Sequence, residues 1–298
     1  MDTLLVATAG GLHEVADRGS RLHLEGRDVT AVSGLGWALL DGREVIHCEH
    51  GEWASYGEVP EGAAATCIGV GPHDVVLGTE GAGLLRRDDS GFTRLASFDE
   101  APDRDEWYTP WGGPPDVRSL AVAEDGTLLV NVHVGGILRS EDGGASWEPT
   151  IDLHVDVHEV AVVPGTSRVV AATGTGFASS TDGGRTWAIE DDGLPATYLR
   201  AVAVAGDAVV VSASRGPDGG AAALYRRPVA GGPFERVGDG LPDDLGGNVD
   251  TGWVVADGDR VAVVLEDGSL HRSDDGARRF SCVADGLAAP RGLARSVG

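Results

Sequence analysis

The chain of 298 residues contains no lysine, three cysteines and one methionine, and only 5% of its side chains are aromatic. Its 23 basic residues, all arginine, stand against 47 acidic ones; the net charge of −24 repels phosphate backbones and argues against nucleic acid as a partner. Cys48, Cys67 and Cys282 are odd in number and widely spaced, which gives neither a disulfide framework nor a paired zinc motif, so free thiols are expected. No apolar run approaches the ~20 residues of a membrane span. The first residues carry an early acid and no basic segment ahead of a short apolar stretch, so neither export nor membrane attachment is expected, and a cytoplasmic location is.

What the chain has in excess is glycine, 46 residues, together with 14 prolines. They separate short runs of two-residue alternation such as Leu128-Leu129-Val130-Asn131-Val132-His133-Val134, the pattern of short strands joined by tight turns. One segment repeats: Ser140-Glu141-Asp142-Gly143-Gly144-Ala145-Ser146-Trp147 recurs as Ser180-Thr181-Asp182-Gly183-Gly184-Arg185-Thr186-Trp187, and more weakly as Ser273-Asp274-Asp275-Gly276-Ala277-Arg278-Arg279-Phe280. In such a turn the aspartate accepts backbone N–H groups, the glycines supply positive φ, and the aromatic ring packs between neighbouring sheets. Asp142, Asp182 and Asp274 are therefore expected to be folding residues and not catalytic ones. These copies resemble the Asp-box, or BNR, repeat of the WD40/YVTN/BNR-like β-propellers, a grouping that includes sialidases, other glycosidases and a photosystem II assembly factor.

Aligned on the repeat, the sequence divides into four-strand units with inner strands near residues 29, 66, 117, 157, 199 and 250. The ends complete the count, because Leu4–Thr8, Gly11–Val15 and Arg21–Leu24 form three strands lacking a first, and Arg291–Val297 supplies one. The expectation is an all-β, single-domain, seven-bladed β-propeller over 1–298, built of four-stranded antiparallel blades and closed by strands from both termini. Blade boundaries fall at about 291–298 plus 1–28, 29–62, 63–116, 117–152, 153–197, 198–246 and 247–290. Six or eight blades are the alternatives. A closed ring leaves no edge strand in need of a partner, so a monomer is expected.

Just inside the inner strands the aligned positions are Thr30, Thr66, Arg118, His158, Arg200, Asp250 and Arg291. Aliphatic side chains would suffice for packing there, so Arg118, Arg200 and Arg291, with Asp250 among them, suggest a seat for a carboxylate or phosphate at the channel mouth. The alternative is that they pair with Asp116, Asp156, Asp250 and Glu159 as ion pairs in a wet channel. At the end of the second strands stand Glu80, His133 and Glu266, which with His158 offer acid/base chemistry. His154 and His158 could join His133 on a metal only if the chain bends between them; the metal assignment stays open, and no cofactor motif is evident. A long loop before residue 117 carries Trp107, Tyr108 and Trp111, expected as a stacking lid over the same mouth.

The sialidase resemblance implies an arginine triad, a Tyr/Glu nucleophile pair and an acid, but the Phe-Arg-Ile-Pro segment is missing and seven blades are expected instead of six, so those roles are not carried over. Two functions remain. One is a hydrolase or lyase, glycosidase-like, acting on an anionic small molecule or glycan. The other is a non-catalytic assembly scaffold that holds a protein partner on the channel-mouth face.

Overall fold

The computed structural model describes residues 3–71 and 75–296. Among them, seven four-stranded antiparallel sheets form a ring, a seven-bladed β-propeller. The inner strands of the second to seventh blades are Val29–Ser33, Ala65–Val70, Val117–Val122, Val157–Val162, Val202–Ala205 and Val254–Asp257. The first blade is composite: Pro290–Arg295 lies innermost and pairs with Thr3–Thr8, followed by Gly11–Ala16 and Gly19–His23. Val6 sits opposite Leu293 and Leu4 opposite Arg295, so the two ends of the chain close one sheet. The sixth and seventh inner strands begin at Val202 and Val254, later than the expected starts near Leu199 and Asp250. Leu199, Arg200 and Asp250 thus belong to the approaches to the strands.

The core lies between sheets. Alternating Val, Ala and Leu give each strand one face for the blade before and one for the blade after, as Val210 and Leu224 meet Val261, Val263 and Phe280. Near the axis the inner strands leave little room: a Cβ on Gly69 would lie 1.7 Å from Leu120 Cδ1.

The repeated turns are built as the sequence implies. Asp142 accepts the Ser146 N–H (2.9 Å), the Ser146 hydroxyl (2.6 Å) and the Ser140 hydroxyl (2.8 Å), while the Gly144 N–H donates to Ser140 Oγ (2.8 Å). Asp182 repeats this with Thr186 and Ser180. The hydroxyls of Ser146 and Thr186, together with these N–H groups, hold both carboxyls well below the usual range. In the third copy the turn aspartate is Asp275, not Asp274. Asp275 accepts Ser273, Arg278 N–H and Arg279 N–H, whereas Asp274 faces Arg260 and Arg272 in solvent. Ala277 takes the place of the second glycine at φ +65°, an uncommon conformation held by its N–H bond to Ser273 Oγ (3.0 Å). An arginine from the preceding blade clasps each of the first two turns: Arg86 donates to the Gly143 carbonyl (2.6 Å) and Arg139 to that of Gly183 (2.7 Å).

Candidate functional site

The polar ring at the channel mouth is made by β-bulges. In five of the seven blades the pairing of the inner strand with the second strand skips one residue: between Val29 and Ala31, Ala65 and Cys67, Val117 and Ser119, Val157 and Glu159, and again between Pro290 and Gly292. The skipped residues are Thr30, Thr66, Arg118, His158 and Arg291. A bulge leaves one residue out of the ladder and re-aims its side chain, so these five turn away from the between-blade core. Several knit the ring together: Thr66 Oγ1 donates to the Val117 carbonyl of the next blade (2.5 Å), and His158 Nδ1 meets that of Leu199 (2.5 Å).

A cavity of about 480 Å³ opens at this mouth, with Arg118, His133, Glu159, Asp250, Thr66 and Arg291 in its wall. Arg118 and Arg200 converge on one carboxylate, Asp250, at 3.4 and 3.1 Å. Three blades thus meet in one ion bridge with a surplus positive charge. Arg291 stands apart, half-exposed, and pairs with Asp28 at 3.4 Å, so the expected three-arginine clamp is a pair of arginines plus an outlier.

Beside the bridge lies a histidine–carboxylate–histidine cluster. His158, fully buried, sets Nε2 3.0 Å from Asp156 Oδ2, and His133 sets Nε2 3.7 Å from Asp156 Oδ1. Both ring nitrogens of His158 face oxygen atoms, the Leu199 carbonyl and the Asp156 carboxylate. His133 Nε2 and Asp156 Oδ1 are buried and make no hydrogen bond. His133 also lines the cavity. Burial, with the charge of Arg118 added, lowers His133 to about 4, which keeps it neutral at pH 7. Asp156 lies below its usual range: burial opposes this, but the His158 bond and the nearby positive charges outweigh it.

Glu159 ties three blades at the axis, accepting the Val202 N–H at 2.9 Å and the Gly252 N–H at 3.1 Å. Burial pushes its carboxyl up to about 8, with the N–H donors and Arg118 opposing. A carboxyl raised on folding contributes stability that is present below its unfolded value near 4.3 and is lost as pH rises through the folded one. Between about pH 6.5 and 8 the Glu159 contribution to stability against urea should fall by about 2 kcal/mol, offset in small part as unfolded His133 loses its remaining proton, and Glu159→Gln should remove that fall.

Other expected site residues lie elsewhere. Glu80 occupies the strand-end position equivalent to His133, yet its carboxylate is exposed and does not line the cavity. An acid with no cation beside it stays solvated. Glu266, also exposed, lies against Gly247. Trp107 is core, 7% exposed and packed with Phe98, which in turn meets Trp147, because the long loop needs an apolar anchor of its own. Tyr108 is exposed, and Trp111, 62% exposed, stands edge-on to His133 with ring centroids 5.5 Å apart, so only Trp111 of the proposed lid touches the site. His154 is exposed on the turn before His158, and among the described residues no three His, Cys, Asp or Glu side chains converge as metal ligands. Tyr198, which packs against both His158 (4.8 Å) and Arg200 (5.6 Å), was not legible in the sequence; a lone tyrosine before a strand carries no signature.

No protein family and no curated protein matches this sequence. Solved structures do. A candidate 6-phosphogluconolactonase from Bacteroides uniformis superposes with a TM-score of 0.68 at 12% identity, over 98% of this chain and 99% of that one. The likeness is one of fold. YCF48 bound to a D1 peptide gives 0.58 at 15% identity, over 85% of this chain and 81% of that one. The GH74 xyloglucanase from Xanthomonas campestris gives 0.58 at 19% identity, over 93% of this chain and 46% of that one. Enzymes and a peptide-binding protein share this architecture, so the activity has to be argued from the site.

Proposed function

We propose that the protein is a hydrolase of a small anionic sugar derivative, with His133 as general base at the channel mouth. The observation that carries this reading is His133 in the cavity wall with its buried Nε2 3.7 Å from Asp156 Oδ1, two atoms that make no hydrogen bond. With Nε2 turned to Asp156 as the donor, the opposite nitrogen of a neutral imidazole is a free acceptor toward the cavity, able to take a proton from water as that water attacks. Asp156 then stabilises the imidazolium, and His158 holds Asp156 in place. Trp111, edge-on to the ring, shields one side of the imidazole. The surplus charge of the Arg118–Asp250–Arg200 bridge favours an anionic substrate.

A covalent route is unfavourable. The Cys67 thiol is pushed up to about 12 by burial, and the Ser119 hydroxyl is engaged by Asn131 and by the Val160 N–H. Water is therefore the nucleophile in this reading. We assign the three Ser-x-Asp turns to the Asp-box type and give them no part in the chemistry. The test is a turnover screen of the purified protein on aldonolactones, including 6-phosphogluconolactone, and on uronide glycosides. Activity that His133→Asn removes supports the reading, and inactivity across the panel counts against it.

Exposed Trp111 and Tyr108 favour a second reading, a non-catalytic scaffold that holds a peptide on this face. In that case Trp111→Ala would abolish capture of the peptide, and His133→Asn would leave capture unchanged.

A further inference from the structure

Asp250 differs from its two arginine partners in how it is held. The guanidinium-bearing side chains of Arg118 and Arg200 are sunk in the wall at 16% and 17% exposure, whereas the Asp250 carboxylate is the outermost member at 37%. It stands on the turn that precedes the seventh inner strand, not on the strand itself, and its local anchor is the N–H of its own neighbour Thr251 at 2.8 Å. One carboxylate serves two cations, each oxygen taking one guanidinium, and the Arg118 contact is long at 3.4 Å. The Nε of Arg200 is buried with no hydrogen bond in good geometry. The arginines come from the fourth and sixth blades and the carboxylate from the seventh, so the bridge spans the mouth of the cavity that Arg118 and Asp250 both line.

We propose that the paired guanidiniums of Arg118 and Arg200 form a carboxylate seat that Asp250 occupies in the free protein, and that a small carboxylate ligand enters by replacing the Asp250 side chain there. This rests on the anion-site reading above and adds to it the ligand class and the mode of entry. Asp116 and Asp156 lie near Arg118, but Asp250 is the carboxylate in ion-pair contact with both part-buried guanidiniums, so a group that takes its place there is favoured when it is an anion. A carboxylate conserves both the charge and the planar, two-oxygen geometry that Asp250 now presents. The released Asp250 side chain moves into water at little cost, since it is already partly solvated.

The experiment is calorimetric titration of sodium acetate, and separately of inorganic phosphate, at constant ionic strength into wild type, Asp250→Ala and Asp250→Asn. Acetate is expected to bind Asp250→Ala at least tenfold more tightly than wild type and to raise the Tm of that variant selectively. Adding Arg118→Ala to Asp250→Ala should remove the gain. Asp250→Asn keeps the side-chain volume without the charge; it should also gain affinity, and it carries the comparison if Asp250→Ala does not fold. A folded Asp250→Asn protein with wild-type acetate affinity overturns the exchange, and phosphate binding more tightly than acetate overturns the carboxylate assignment. Neither readout involves turnover, so acetate-silent variants beside a His133-dependent wild-type activity would sink the exchange and leave the hydrolase reading standing.

Discussion

A chain shortened by residues 288–298 is expected to lose its cooperative unfolding transition. The deletion removes Pro290–Arg295, whose ladder with Thr3–Thr8 closes the ring. It uncovers Leu4, Leu5, Val6 and Ala7, each now at most 2% exposed, and discards the buried Leu293 and Ala294. At about 2 kcal/mol for each large apolar side chain returned to water, the loss approaches the whole stability of an ordinary domain, about 5–15 kcal/mol. It also leaves Thr3–Thr8 as an unpaired edge, prone to association. Circular dichroism against temperature should show a broad, non-cooperative loss of signal, and an excess of a synthetic 288–298 peptide should restore the transition through its binding energy. A truncated chain that melts like the intact protein would contradict closure by both ends.

The second large effect concerns His133. On any substrate of the panel that the wild type turns over, His133→Asn should lower kcat/KM about 100-fold or more, the usual worth of a general base, with the Tm little changed because the ring makes no close hydrogen bond. A base must be unprotonated to act. With His133 lowered to about 4, kcat/KM should rise as pH rises through about 4 and then hold level to near pH 8, where Glu159 begins to ionise beside Arg118. Asp156→Asn should depress kcat more than KM, because it weakens the stabilisation of the imidazolium and leaves the Arg118 seat intact. A pH optimum set by an ordinary histidine near 6.5 would contradict the buried, neutral state of His133.

The seven blades were legible because two strong turn copies 40 residues apart fix the phase, and because three strands at one end of the chain and one at the other add up to a single sheet. The ring positions were legible for a related reason: a polar residue that interrupts an aliphatic strand at the same place in unit after unit needs a cause outside packing. In five blades that cause, the bulge after the first residue of the inner strand, left no mark, since a one-residue skip in pairing depends on the partner strand and not on local composition. Asp156 was visible only as an acid near a basic ring. Its place between two histidines follows from the turn before Val157 and the distant approach of His133. Trp107 and Trp111 are four residues apart in one loop, and which of them anchors the loop is decided by Phe98 and Trp147, contacts that span up to 49 residues. Adjacent aspartates at 274 and 275 made the third turn ambiguous by one position, resolved by which carboxylate faces the N–H groups of Arg278 and Arg279.

The most direct test is a crystal structure of the protein soaked in a saturating sugar-derived carboxylate such as gluconate. Density is expected for the anion at the channel mouth, its carboxylate within about 3.2 Å of the Arg118 guanidinium and the rest of the molecule beside His133. A mouth filled by water alone at saturating ligand, with the Arg118–Asp250–Arg200 bridge unchanged, would contradict it.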